Sequence, residues 1–293
     1  MASIDYELHD LGDLGDLESP VFIMAFKGLF DMGAAATAAI DWLSMIHEGK
    51  PAASIDPELL YDFQETRPEV RLGRSGKREI LWPSNNALWA KTETGSPDLV
   101  LLSGVEPNLR WQSFSATIRE LVEHTQSRLV VTLGASLAMV PHTRTFPVRA
   151  STGDSELSER LGVAGPSYEG PTGVVGSLHQ HLGEHGIPAM SLSASVPHYV
   201  PSPPSPKATA ALLATLEQYL KIRTDHAGLA DEIRDWESRV HRALEDDEDV
   251  RNYVSDLESK SDAAPEIIVD SADFASEIER FLSDPPHSDE SEQ

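Results

Sequence analysis

The sequence predicts an α/β fold: a mostly parallel sheet covered by helices on both faces, continued by a helical C-terminal extension. Three observations carry this reading. Short apolar runs of strand character alternate with amphipathic stretches about 10–15 residues long, the pattern of strand–helix–strand units. Four of those runs, residues 22–26, 99–102, 129–133 and 189–193, lead into polar loops. The tripeptide Val-Pro-His occurs twice, as Val140-Pro141-His142 and Val196-Pro197-His198, each time just after such a run. In an open α/β sheet, polar residues beyond the carboxyl ends of the strands line the ligand crevice, so the repeat points to a place as well as an architecture.

The elements follow in order. Residues 1–18 read as an irregular acidic arm and residues 21–26 as a buried strand. Gly28 follows, and residues 32–43 read as a helix whose alanines make it narrow enough to pack closely on a sheet. Residues 51–78 are polar and basic near Arg67, Arg71, Arg74, Lys77 and Arg78, an excursion of strand and loop. Residues 79–82 and 87–90 flank Pro83-Ser84-Asn85-Asn86 and are expected to form a hairpin. A strand at 98–103 leads to a helix at 112–125, with Phe114, Ile118, Leu121 and Val122 on one face. A strand at 128–133 leads to a Gly-Ala-Ser loop and a further extended piece near 146–150. A short helix at 154–161, a turn at 168–173, a helix at 174–184 stopped by Gly186 and a strand at 187–193 complete this part.

Pro201-Ser202-Pro203-Pro204-Ser205-Pro206 changes the character of the chain, because proline removes amide donors and stiffens the segment. Beyond it, Leu212, Leu213, Leu216, Tyr219 and Leu220 form one helical stripe. Leu229, Ile233, Trp236, Val240, Leu244, Val250, Val254 and Leu257 form a longer one, with the acidic run 245–249 as its point of interruption. A last amphipathic helix is expected at 271–282 around Phe274, Ile278, Phe281 and Leu282. The expected organisation is an acidic arm at 1–18, an α/β core at 19–200 and a proline-rich linker at 201–206. A helical extension at 207–282 and a disordered acidic tail at 283–293 follow.

A chain of 293 residues with 40% apolar content can build a full core. The absence of cysteine excludes disulfides, thiolate catalysis and thiolate metal sites. The first basic residue is Lys27, so no basic-then-apolar leader is read, and no apolar run approaches the roughly 20 residues of a membrane span. The expectation is a soluble cytoplasmic protein. The net charge of −25 is unevenly placed. Residues 1–18 hold six acids and no Lys or Arg, and residues 245–293 hold seventeen acids and three bases, leaving residues 19–244 at −5. No basic face is available to neutralise phosphates, so nucleic acid is not an expected partner, nor is a membrane. The acidic ends read either as solvated segments or as docking tails for a basic partner.

His142 and His198 head the candidate site, each beyond a strand and beside proline. Either each is satisfied by loop backbone, or both reach the crevice with Arg144 and Glu106 near them. In the second case arginine binds an anion bidentately and histidine exchanges protons. The loop 165–173, rich in glycine and proline, is either a rigid turn or a presenter of Tyr168 and Glu169 to the same crevice. His179, His181 and His185 lack the His-Glu-x-x-His order, so no metal is expected, and no cofactor motif is present. The Gly28–Gly33 loop matches neither the dinucleotide nor the Walker pattern; Asp31 within it is placed to cap the following helix. Ser103, Ser136 and Ser195 stand outside any Gly-x-Ser-x-Gly elbow, and no catalytic residue is nominated.

Six segments together resemble a known family. They are Gly28-x-x-Asp31-x-Gly33-Ala34-Ala35; Gly104-x-Glu106-Pro107 with Trp111 and Phe114; Pro141-His142-Thr143-Arg144; Tyr168-Glu169-Gly170-Pro171-Thr172-Gly173; Gly186-Ile187-Pro188; and Val196-Pro197-His198-Tyr199-Val200. In this order, over about residues 20–260, they look like the proteasome assembly chaperone 2 family in its actinobacterial branch. The resemblance implies a three-layer α/β/α sandwich of phosphorylase/hydrolase-like type with a C-terminal helical extension. It also implies a homo-oligomer, with a trimer as the suggested state. Family members in eukaryotes and archaea help assemble or dock on proteasomes, typically through a hydrophobic-Tyr-any-residue ending; this chain departs from it with Asp289-Glu290-Ser291-Glu292-Gln293. Two functional readings therefore stand. One is a non-enzymatic oligomeric assembly or interaction protein, with a protein partner through the helical extension or the acidic tail. The other is an enzyme or binding protein for a small anionic ligand at the strand ends.

Overall fold

The computed structural model describes residues 4–8, 17–73, 76–163, 165, 169–200 and 202–263. Its centre is an eight-stranded sheet. In chain order the strands are β1 (Tyr6–Leu8), β2 (Val21–Lys27), β3 (Lys50–Ile55), β6 (Asn85–Ala90), β7 (Leu99–Val105), β8 (Leu129–Ala138), β9 (Val148–Thr152) and β10 (Ala189–Pro197). Between β3 and β6 lies a separate two-stranded sheet of β4 (Glu69–Leu72) and β5 (Arg78–Leu81). The spatial order of the large sheet is β1-β3-β6-β7-β2-β8-β10-β9. The four central strands β7, β2, β8 and β10 are parallel, and the strands outside them pair antiparallel.

β2 is central because its side chains require it: Val21 to Phe26 are all buried, so both faces of the strand need cover. Its side chains divide by the two-residue period of a strand. Val21, Ile23 and Ala25 enter one hydrophobic cluster with α1 (Ala35–Ile46), α3 (Ser155–Leu161), α5 (Pro206–Leu220) and α6 (Ala230–Leu244). Phe22, Met24 and Phe26 enter the other with α2 (Trp111–His124) and α4 (Val174–Glu184). These are the three layers, and each fully buried Phe, Ile or Met contributes roughly 1.5–3 kcal/mol of burial. The expected stripes face inward: Phe114, Ile118, Leu121 and Val122 on α2, and Leu212, Leu213, Leu216, Tyr219 and Leu220 on α5, are buried. The acidic run near 245–247 breaks the last pattern into α6 and α7 (Glu248–Ala263). The expected helix at 271–282 lies outside the described residues.

Three readings need correction, and a fourth is made more specific. Residues 6–8 of the expected irregular arm form an edge strand on β3, and Ile4 is buried with its N–H on Thr117 Oγ1 at 2.8 Å. Residues 79–82 do not pair with 87–90. β5 turns back on β4, while β6 enters the large sheet between β3 and β7. The side chains decide this: Asn85, Ala87, Trp89 and Ala90 are buried, whereas every residue of β5 is exposed. The expected Gly-Ala-Ser loop continues β8, because Gly134 to Ala138 pair with Ser193 to Pro197 and the Ala135 N–H bonds Phe30 O at 2.7 Å. The extended piece expected near 146–150 is β9, an antiparallel edge on β10.

Candidate functional site

β2 lies between β7, which follows it by an antiparallel excursion, and β8, which lies on its other side. The connections therefore diverge at its carboxyl end, the position where open α/β sheets form a crevice. There Glu106 donates its N–H to Lys27 O at 2.9 Å, and its Oε2 accepts the Leu29 N–H at 3.4 Å. A Cβ on Gly28 would stand 2.4 Å from that oxygen, so glycine permits the close approach. Gly173, the N-cap of α4, faces Glu106 from the other side: its notional Cβ lies 3.5 Å from Oε1 and 3.5 Å from the Phe30 ring. Beneath the loop, Asp31 accepts N–H bonds from Ala36 (2.8 Å) and Thr37 (3.3 Å) and the Thr37 hydroxyl at 2.6 Å. Its expected capping role is thus observed, and it fixes the loop to α1.

The two Val-Pro-His copies meet one and two strands away from β2, at the ends of β8 and β10. Tyr199 joins them. Its hydroxyl accepts the His142 N–H at 2.8 Å and lies 2.9 Å from His142 Nδ1, while its ring stacks edge-on with both His142 and His198. His142 is buried, and burial together with the Lys207 ammonium lowers its pKa. Lys207 bonds His142 O at 2.7 Å and Glu237 at 2.5 Å. His198 is exposed; its Nδ1 lies 3.3 Å from Ala138 O and its Nε2 3.4 Å from the Tyr253 hydroxyl.

α7 closes over this junction. Arg144 holds Asp262 through Nε at 2.7 Å and Nη2 at 2.9 Å, with Glu258 at 3.5 Å. The guanidinium keeps the Asp262 carboxyl below its ordinary range. Thr143 donates its hydroxyl to Glu258. Val254 and Leu257 bury the apolar side of the helix. His142, His198 and Arg144 are thus brought together beside α7, with only His142 buried, and Glu106 lies in a separate group at the switch point. Glu169 is exposed, and Tyr168 lies outside the described residues.

Sequence reasoning missed Tyr199, Lys207, Tyr253, Glu258 and Asp262 as members of this cluster. The signal available was the i, i+4 spacing of Glu258 and Asp262 beside the Val254/Leu257 stripe, which places both carboxylates along one side of the helix. His179, considered with the other α4 histidines as a ligand, instead turns to the sheet. Its Nε2 lies 3.0 Å from Thr132 Oγ1, which is 2.7 Å from Ser191 Oγ, and burial pushes its pKa down to about 4. Around both groups the sheet end exposes apolar side chains: Leu29 and Phe30 after β2, Leu109 after β7, and Leu137 and Met139 at the end of β8.

The PAC2 family pattern matches residues 25–244. The chain belongs to the PAC2 family. A PAC2 family protein from Streptomyces avermitilis is 41% identical, with a TM-score of 0.74, covering 80% of this chain and 99% of that one. A proteasome-assembly chaperone homologue from Mycobacterium tuberculosis is 36% identical, with a TM-score of 0.72, covering 80% of this chain and 99% of its own. PbaB of Pyrococcus furiosus, an archaeal proteasome activator, shares the fold at 16% identity and a TM-score of 0.64, covering 83% of this chain and 99% of its own. No curated protein matches the chain. The family and the α/β/α architecture expected from the six segments are thus borne out. Among the described residues, no helix is long and apolar enough to cross a membrane.

Proposed function

We propose that this PAC2 family chain is a non-enzymatic, homo-oligomeric assembly or interaction protein that works in the cytoplasm as a trimer. One observation carries the reading. At the carboxyl end of the sheet, His142, Arg144 and Lys207 are bonded to neighbouring side chains, to backbone or to α7, and Leu29, Phe30, Leu109, Leu137 and Met139 are exposed beside them. A surface of this kind suits contact with protein rather than turnover of a small polar substrate. The proteasome-assembly chaperone homologue among the solved relatives supports the same direction and suggests proteasome subunits as the first partners to try. The experiment is affinity capture by the full chain of purified proteasome α and β subunits from the same cell, beside its Leu29→Asp/Phe30→Asp variant. Mass in solution is measured by light scattering. Capture by the parent, loss by the variant and a mass of three chains are expected. Absence of capture together with a monomeric mass refutes the reading.

A second reading is favoured by the Arg144 geometry. Its guanidinium already holds a carboxylate in the paired-bond arrangement it would offer to a free anion. Candidate ligand contacts in that case are Arg144, His142 and His198, with Glu106, Tyr168 and Glu169 as the further candidates named by the sequence. Thermal unfolding of the full chain with small dicarboxylates tests it. A ligand at about 100 times its dissociation constant adds roughly 2.7 kcal/mol, and Asp262→Asn should strengthen the effect. No shift in either protein removes this alternative.

A further inference from the structure

The hairpin β4–β5 stands apart from the large sheet. It forms a sheet of its own, and all eight of its strand residues are exposed. Pairing sets Val70 opposite Ile80 and Leu72 opposite Arg78, so these four share one face. Val70, Leu72 and Ile80 are 55%, 72% and 57% exposed. Trp82 follows, exposed, with its ring 4.9 Å from Phe63. A two-stranded hairpin is marginal in water without a third strand or a packed face, so an uncovered apolar face here calls for a partner.

Charge narrows what that partner is. In a chain of net −25, Arg67, Arg71, Lys77 and Arg78 gather on and beside this hairpin against Glu69 and Glu79. Arg71, Lys77 and Arg78 make no ion pair among the described residues. The complement is a segment with an apolar stripe flanked by acids. Residues 264–293 have that composition: nine acids and one base, with Phe274, Ile278, Phe281 and Leu282 at i, i+4, i+7 and i+8, and Asp273, Glu277, Glu279 and Asp284 among them.

The reach is sufficient. α7 ends at Ala263, next to the Arg144–Asp262 pair at the carboxyl end of β8. The hairpin joins the sheet at the same end, since Ser84 O accepts the Val105 N–H at the close of β7. β8 and β7 are two strand spacings apart, about 10 Å, and the hairpin stands beyond β7; the ten residues 264–273 span up to about 33 Å when extended. We propose that residues 264–293 dock on the hairpin, with Phe274, Ile278, Phe281 and Leu282 against Val70, Leu72 and Ile80 and the acids facing Lys77 and Arg78.

The test uses the full chain. Carbodiimide coupling followed by peptide mass analysis should join Lys77 to Asp273, Glu277 or Glu279, whether within one chain or between copies. Amide exchange is then compared with the Phe274→Asp/Phe281→Asp variant, with β2 and β8 as the internal control for the intact sheet. Exchange in 69–72 and 78–81 should rise at least about tenfold while β2 and β8 are unchanged. Lys77 coupled only to acids outside 264–293, with hairpin exchange equal in the two proteins, overturns the proposal. Hairpin-to-hairpin contacts between copies that survive the tail substitutions overturn it in favour of self-association.

Discussion

Acidification should destabilise this protein through His179, and the size of the effect can be worked out. The imidazole sits between α4 and the sheet with Thr132 as its partner, and burial lowers its pKa from 6.5 to about 4. A lowered folded value means that the unfolded chain binds the proton first. Stability from this group is therefore present above pH 6.5 and is lost as pH falls toward 4. Linkage across that interval gives a loss of about 2 kcal/mol between pH 7 and pH 5, and about 3 kcal/mol once both states are protonated. The assay is urea unfolding at both pH values for the parent and for His179→Gln, which keeps a polar contact to Thr132 and does not titrate. His142 is also lowered by burial, but it is present in both proteins and subtracts out. The variant should lose about 2 kcal/mol less than the parent between pH 7 and pH 5. Equal losses in the two proteins would show that the imidazole is not desolvated in solution and refute the reasoning.

Three other outcomes are expected. Asp31→Ala strands two amide hydrogens and the Thr37 hydroxyl at a buried loop, and should lower unfolding free energy by about 2 kcal/mol in chemical denaturation. Tyr199→Phe removes the oxygen that serves both the His142 N–H and its ring nitrogen; a loss of about 1–3 kcal/mol is expected by the same measurement, and a neutral result would mean that water replaces the hydroxyl. Arg144→Ala releases Asp262 and Glu258, so amide exchange should quicken in the last two turns of α7 while α5 keeps its protection.

The central sheet was legible because its strands announce themselves twice, by apolar content and by the turn residues that follow. Helices α2 and α5 were legible from the apolar stripes that the fold buries. The failures share a cause: they depend on pairing, which local pattern does not encode. Residues 80–82 and 87–90 have similar composition, yet one strand is exposed and the other buried, because only β6 finds neighbours on both sides. β8 ran past its expected stop because β10 offered nine residues of register, so Gly134 and Ser136 were held in a strand despite weak propensity. At the site, the sequence named the residues on loops and missed those that hold them. Tyr199 lies beside a nominated histidine, but Glu258 and Asp262 are more than a hundred residues from Arg144. Contacts across that distance become readable once the helix is docked.

The place of β2 in the sheet also sets a timetable. Val21 pairs with Leu99 on one side and Leu129 on the other. At roughly 5–20 residues per second, a ribosome makes the first of those partners about 4–16 s after β2 and the second a few seconds later. For that interval the most apolar strand of the molecule has no neighbours to bond. Such long-range pairing makes for slow folding and a nascent chain open to aggregation.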